Sequence, residues 1–351
     1  MKALTLPEVG RVACEEVSNP QLQHSRDALV RVTTSAICGS DLHVYHGRIQ
    51  GVEPGVPIGH EYVGIVESIG EGVRRFRPGD RVTGSFFNAC GHCWACQRGL
   101  FSQCDQAGLF GFGPRFGGLG GTQAELVRIP DADYTLVALP EEISDEQGIL
   151  VGDVLSTAYF AVQRGEIRHG DAVAVVGAGP VGLLAVELSF IFGAAQVIAL
   201  DRVPNRLMRA ESLGATPVAA DANAVKRVRG LTRGRGADVV IEAVGHADAL
   251  KLALQVARGF ATISAAGVYT ENALPVSMGR AFAKDFTLRA GMANVQAVFG
   301  PVIELLTRGR IHPERLVTHR LPLAEGPHGY QLFDQRQALK VLLEVSRAPS
   351  R

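Results

Sequence analysis

The chain has 351 residues, 46% of them hydrophobic, and 35 Lys and Arg against 35 Asp and Glu give a formal net charge of zero. The length suits two domains, each with its own core. The charge balance excludes the basic footprint of a nucleic-acid or anionic-membrane binder, so a small, near-neutral partner is expected.

The opening MKALTLPEVGRVACEEV lacks the basic and apolar regions of a secretory signal, so a cytoplasmic location and reduced cysteines are expected. Up to about Val151, strand-like runs alternate with Gly and Pro punctuation: ALVRVTTSAI, EYVGIVESIG and the turn RPGDRV. This pattern predicts a compact, mostly β domain over residues 1–152 with long functional loops.

Inside that region CGHCWACQRGLFSQC sets Cys90, Cys93, Cys96 and Cys104 in the spacing C-x2-C-x2-C-x7-C. Four thiols in a reducing compartment ask for a soft cation, and zinc accepts four thiolates in a tetrahedron. An iron–sulfur cluster matches the first three cysteines. The bacterial cluster run, however, has its fourth cysteine sooner and follows it with proline, where this chain has Asp105. Disulfides are the remaining alternative. A zinc held by four thiolates has no open position, so the quartet is expected to be structural and the chemistry to lie elsewhere.

Beyond about Gly152, apolar strands alternate with helical segments. AVAVV leads into a helix near Val181 to Phe192, then come QVIAL, the helical NRLMRAESLGA, the strand ADVVIEAVG, the helical ADALKLALQVAR and the strand ATISAAG. Strict alternation predicts an α/β unit over residues 153–291, a parallel sheet wound on both faces. The most apolar stretch, Ala172 to Leu200, is broken by glycines, Pro180 and Glu187, so no membrane span is expected. Residues 292–351 are mixed, end in the strand-like KVLLEV, and are expected to return to the first domain.

Between AVAVV and its helix stands Gly177-Ala178-Gly179-Pro180-Val181-Gly182, a G-x-G-x-x-G turn in strand-to-helix context. The first glycine makes the turn, the second lets the backbone approach a pyrophosphate, and the third lets helix and strand pack closely. Pro180 suits a first helical turn, and the helix N-terminus offers N–H groups to phosphates. Asp201 ends the next strand, where a carboxylate accepts from ribose hydroxyls and repels a 2′-phosphate, so NAD is expected rather than NADP. Arg202 and Arg206 stand nearby, either as cofactor contacts that weaken this preference or as solvent-facing helix charges. The alternative for the whole motif is a tight turn with a structural role only.

Two further stretches, Cys38-Gly39-Ser40-Asp41-Leu42-His43 and Gly59-His60-Glu61-Tyr62-Val63-Gly64 running on through IVESIGEGV, carry a resemblance. Together with the four-cysteine lobe, GAGPVG and Leu155-Ser156-Thr157, they make the chain similar, over nearly its whole length, to the zinc-dependent medium-chain alcohol dehydrogenases. The resemblance implies a GroES-like catalytic domain and a Rossmann cofactor domain, NAD, and two zinc ions per chain. It also implies an alcohol or carbonyl substrate and, as in most bacterial members, a homotetramer.

It makes Cys38, His60 and Asp153 the catalytic zinc ligands, with the fourth position left for water or alcohol. An aspartate third ligand looks like the glutathione-independent formaldehyde dehydrogenase group and some bacterial secondary-alcohol dehydrogenases. Glu61 would approach the metal during ligand exchange, or else sit in a structural ion pair. Asp41 would orient the His60 ring, or be a solvated loop acid. Ser40 would take the substrate proton and pass it through the cofactor ribose to His43 at the surface. Thr157 would press on the nicotinamide, Lys340 meet the pyrophosphate, and Phe86 line the substrate cleft unless it is simply core. The loop GLFGFGPRFGGLGG is apolar and expected to be flexible, in keeping with small or moderately hydrophobic substrates. Formaldehyde or aldehyde dehydrogenase or dismutase, and polyol or threonine dehydrogenase, stay open as activities. A nucleotide sensor without chemistry could dispense with Cys38, Ser40, His43, His60 and Asp153, all of which are present.

Overall fold

The computed structural model describes residues 1–49, 51–271 and 276–346. The chain divides into two compact units, Met1–Ser156 with Asn294–Arg351, and Thr157–Ala293. The expected boundaries move by a few residues, and Asp153 falls in the first unit rather than opening the second. The cause is local. Gly152 ends the helix Asp145–Val151 so close to the first unit's sheet that a Cβ there would stand 2.2 Å from the Gly84 carbonyl oxygen.

In the first unit β1 (Lys2–Glu8) and β2 (Arg11–Glu16) form a two-stranded ribbon. A seven-stranded sheet is built from β3 (Ala28–Ile37), β4 (Tyr62–Ile69), β5 (Arg81–Gly84), β6 (Leu126–Ile129) and β7 (Leu136–Ala138). Two strands of the C-terminal segment, β14 (His319–Pro322) and β15 (Val341–Glu344), complete it. β3 is the centre, pairing antiparallel with β15, β4 and β6. That explains why ALVRVTTSAI is buried on both faces instead of alternating. Val30, Val32, Tyr62, Val66, Val82, Phe110, Val127 and Ile129 form its core.

The second unit is a six-stranded sheet in which every pairing is parallel. Its strands are β8 (Ala172–Val176), β9 (Gln196–Asp201), β10 (Thr216–Ala219), β11 (Ala237–Glu242), β12 (Ala257–Ala265) and β13 (Thr287–Ala290). The order β10-β9-β8-β11-β12-β13 reverses direction between β8 and β11, the switch point of a doubly wound sheet. All five residues of AVAVV are buried, and each valine so covered contributes about 2 kcal/mol. β12 starts earlier than the expected ATISAAG because Ala257 already pairs with Ala237, after which a register shift absorbs extra residues. Phe260 sits in that segment with φ 56°, left-handed for a non-glycine residue. Among the described residues no helix is long and apolar enough to cross a membrane.

Candidate active site

Antiparallel register assembles the first half of the site. Ser35 on β3 pairs with Tyr62 on β4, so Cys38 just after β3 and His60 just before β4 emerge at the same end of the ribbon. Asp153 arrives from the helix Asp145–Val151, whose start is fixed by a capping box between Ser144 and Gln147. The ligand atoms of Cys38, His60 and Asp153 lie within 4.8 Å of one another. Cys38 Sγ is 3.2 Å from Asp153 Oδ2, and His60 Nε2 is 3.3 Å from the same oxygen.

The environment of these three groups suits a cation. Burial pushes the Cys38 thiol up, and the charges of Asp153 and Glu61 push it further. For His60 burial acts downward, yet the Asp41 charge and the bond to Asp153 raise it well above its ordinary value. Burial would lift Asp153 too, but His60 holds it below the usual carboxylate range. A thiol, an imidazole and a carboxylate thus keep protons among themselves, and a divalent zinc with one thiolate, one imidazole and one carboxylate would replace those protons. The donor set fits a catalytic zinc with an open position.

Asp41, Ser40, His43 and Phe86 surround this cluster. Asp41, 4% exposed, is no solvated loop acid: its Oδ1 stands 2.9 Å from His60 Nδ1, at ion-pair distance though off the hydrogen-bond axis. Ser40 occupies the N-cap of the short helix Asp41–Tyr45 without using its side chain as a cap. Its hydroxyl instead lies 3.4 Å from Cys38 Sγ and 3.1 Å from His60 Nε2. His43 is half-buried on the same helix, its backbone N–H donating to Ser40 O. The Phe86 ring lies 6.1 Å from that of His60, and Phe112, which sequence reasoning did not single out, lies 5.4 Å away. The loop that holds Phe112 is tied down rather than free: Gly111 donates to Leu119 O, Gly121 to Pro57 O, and Gln123 to Ile58 O.

Lys340 is 1% exposed and ion-paired with the fully buried Glu61. β15 pairs Val341 with Ile37, which sets Lys340 opposite Cys38 and so beside the strand that delivers Glu61. Burial acts on both groups toward neutrality, and their mutual charge opposes it.

The thiols of Cys90, Cys93, Cys96 and Cys104 also lie within 4.8 Å of one another, and no cysteine is in a disulfide. Backbone N–H groups point at the sulfurs: Cys90 N to Cys104 Sγ at 3.3 Å, Cys93 N to Cys90 Sγ and Cys96 N to Cys93 Sγ at 3.4 Å. Donors from Cys96 and Asp105 lower the Cys93 thiol to about 6. Such donors stabilise thiolates, so the quartet fits a closed four-sulfur zinc.

In the second unit the glycine turn follows β8 and the helix Pro180–Ile191 begins on Gly179. Gly177 has φ 95°, and a Cβ on Gly182 would stand 1.8 Å from Gly177 O. A Cβ on Gly179 would meet only Arg206 Nη1, at 3.7 Å. The first and third glycines therefore serve the fold, while the second opens space for a ligand. Asp201 ends β9, accepting from Ala178 N at 2.7 Å and Val203 N at 2.8 Å, with Arg206 Nη1 3.9 Å away. Val181 lies in the first turn of the helix, and Thr157 is buried on the helix Val154–Gly165. Arg202 is turned to solvent beside Asp248, at 3.6 Å.

Comparison with known proteins agrees with this geometry. Residues 24–141 match the alcohol dehydrogenase GroES-like domain, and residues 180–308 match the zinc-binding dehydrogenase family. A zinc-type alcohol dehydrogenase-like protein of Bacillus subtilis is 36% identical over 98% of this chain and 100% of its own length. A probable zinc-binding alcohol dehydrogenase of Mycobacterium tuberculosis is 40% identical over 94% of this chain and 84% of its own. The alcohol dehydrogenase TADH from Thermus sp. ATN1 superposes with a TM-score of 0.95 at 49% identity, covering 99% of this chain and 100% of that one. With the ligand cluster, the cysteine lobe and the glycine turn in one chain, the protein belongs to the zinc-dependent medium-chain alcohol dehydrogenases and is an alcohol oxidoreductase.

Proposed function

We propose that the protein interconverts a small or moderately hydrophobic alcohol with its aldehyde or ketone, using NAD and two zinc ions per chain. The convergence of Cys38, His60 and Asp153 on one point carries this assignment. When bound, zinc supplies Lewis acidity that eases loss of a hydroxyl proton, and NAD accepts the hydride.

The chain's own groups then have distinct tasks. Cys38, His60 and Asp153 hold the catalytic metal, and Cys90, Cys93, Cys96 and Cys104 hold the structural one. Ser40 Oγ, not engaged as a cap, takes the hydroxyl proton. His43 delivers it to solvent, an imidazole being suited to exchange near neutral pH. Glu61 Oε1, buried with no hydrogen-bond partner among the described residues, is available to approach the metal while one ligand leaves and another arrives. Phe86 and Phe112 give the substrate an apolar wall.

In the cofactor unit Gly177, Gly179, Pro180, Val181 and Gly182 receive the pyrophosphate on the helix N-terminus. Asp201 meets the adenosine ribose, Arg206 flanks it, and Thr157 supports the nicotinamide. Asp201 favours NAD, because a 2′-phosphate would face its carboxylate. Reduced, unbridged cysteines suit a cytoplasmic enzyme, and we propose a homotetramer on the family resemblance.

The test is the absorbance of NADH with a panel of alcohols, diols, threonine and formaldehyde, before and after chelation. Turnover with at least one alcohol, abolished by chelator and restored by zinc, is expected. A zinc-loaded protein inert toward the whole panel would instead support the nucleotide sensor.

A further inference from the structure

Asp41 has a second oxygen, and its partners lead away from the metal cluster into the core. Oδ2 accepts from the Cys38 backbone N–H at 2.9 Å and from Gln123 Nε2 at 3.3 Å. Gln123 is fully buried, and its Nε2 donates as well to Ala36 O at 2.9 Å. Its Oε1 accepts from the Tyr330 hydroxyl, also at 2.9 Å. These bonds allow one orientation of the amide. Turned over, its oxygen would face a carbonyl and a carboxylate with no proton between them.

The surroundings are built to keep that amide in place. Tyr330, 1% exposed, comes from the helix Gly326–Asp334 of the returning segment, and its ring packs 5.8 Å from that of Tyr45. On the other side Gly59, directly before His60, has φ 85°, and a Cβ there would stand 2.4 Å from Gln123 Cγ. Any side chain at that position would evict Gln123 from its contact with the chain that bears His60. The amide is therefore held from three directions: by Tyr330, by the end of β3 through Ala36, and by the bare backbone of Gly59.

We infer that Gln123, oriented by Tyr330, is a positioning residue for the catalytic zinc. Its amide fixes the Asp41 carboxylate, and Asp41 fixes the His60 ring so that Nε2 faces the metal. Partners of this outer kind orient a ligating imidazole, and their loss costs metal affinity. The inference rests on Cys38, His60 and Asp153 being the zinc ligands.

The experiment compares zinc release to a chromogenic chelator from wild-type holoenzyme, Gln123→Met and Tyr330→Phe, with thermal unfolding measured alongside. Gln123→Met keeps the length of the side chain but removes its donor and acceptor, and Tyr330→Phe removes only the hydroxyl. In Gln123→Met one of the two zinc ions should leave on the order of tenfold faster, and Tyr330→Phe should shift the same ion in the same direction by less. The other zinc and the KM for NAD should stay at wild-type values in both. Acceleration of both ions together with a lowered Tm would mean a merely structural role and overturn the inference, as would wild-type release from both variants. A wild-type chain that retains a single zinc, on the cysteine quartet, would remove the ligand assignment itself and this inference with it.

Discussion

At the scale of single residues the least ordinary feature is an ion pair buried from solvent. Glu61 and Lys340 are 0% and 1% exposed, next to a thiol, an imidazole and a second carboxylate. Placing two charges in such a position costs several kcal/mol in desolvation for each, which their attraction only partly offsets. Removal of one partner is then worse than removal of both. Glu61→Gln leaves an ammonium in the core with no counter-charge of its own and should destabilise the protein by about 3–5 kcal/mol. The double variant Glu61→Gln with Lys340→Met should regain much of that loss. Urea unfolding of wild type, Glu61→Gln, Lys340→Met and the double variant, taken as a double-mutant cycle, measures the coupling. Additive losses would show that the pair is not a coupled unit.

At the scale of elements, Asp238 shows how one carboxylate holds three strands. It lies on β11, accepts the N–H of Ala172 at the start of β8 at 2.8 Å, and pairs with Arg258 Nε on β12 at 2.5 Å. Burial acts upward on its titration, but the Ala172 N–H and Arg258 outweigh it and hold the group below its ordinary value. A carboxyl depressed in the folded state binds its proton more readily when unfolded. Its stabilisation is therefore fully present above the unfolded value, about pH 3.9, and disappears as pH falls through the folded one. Asp238→Asn resembles the protonated acid in shape. It should be less stable than wild type at pH 7, and the two unfolding curves should converge as pH is lowered below about 4. A gap that stays constant between neutral and acid pH would contradict the assignment. Elements also mark where the sequence is legible. The buried strand AVAVV and the helix after the glycine turn are legible to within a residue, and ADVVIEAVG overruns β11 by three, because apolar runs and Gly-Pro punctuation are local signals. The short β10 and β13 were not seen, since four residues at the sheet's edges carry no period. In the site, Cys38, His60 and the quartet stood out through motif spacing. Gln123 and Tyr330 did not, because a lone polar residue acquires meaning only from the buried partners that long-range folding brings to it. The ion pair of Lys340 with Glu61 is illegible for the same reason: the β15 to β3 register that sets the two together spans most of the chain.

At the scale of the whole molecule the cysteine quartet does what a hydrophobic core does elsewhere. Its lobe buries only Ala89, Ala95 and the sulfurs Cys90, Cys96 and Cys104, with Phe101 and Ala107 packed against them among the described residues, too few groups to offset the entropy of ordering a loop. A zinc on the four sulfurs, as proposed above, would supply the missing free energy. The lobe in turn receives the returning segment: Asn294 donates to Gly99 O at 2.6 Å and accepts from Ser102 N at 3.2 Å, while Gln296 donates to Phe87 O at 3.1 Å. Damage to the quartet should therefore spread through long-range contacts rather than into the chemistry. Cys93→Ser, which removes the most accessible thiol of the four, should lose one zinc and about 3 kcal/mol of stability, seen as a Tm lowered by roughly 4 °C. Measured well below that Tm and normalised to the zinc retained by Cys38, His60 and Asp153, its kcat should equal that of wild type within about twofold, less than 0.5 kcal/mol of barrier. A kcat lowered tenfold in a fully folded variant would bring the quartet back into the catalytic machinery. Unchanged kcat with a lowered Tm assigns it to holding the loop on which the C-terminal return is anchored.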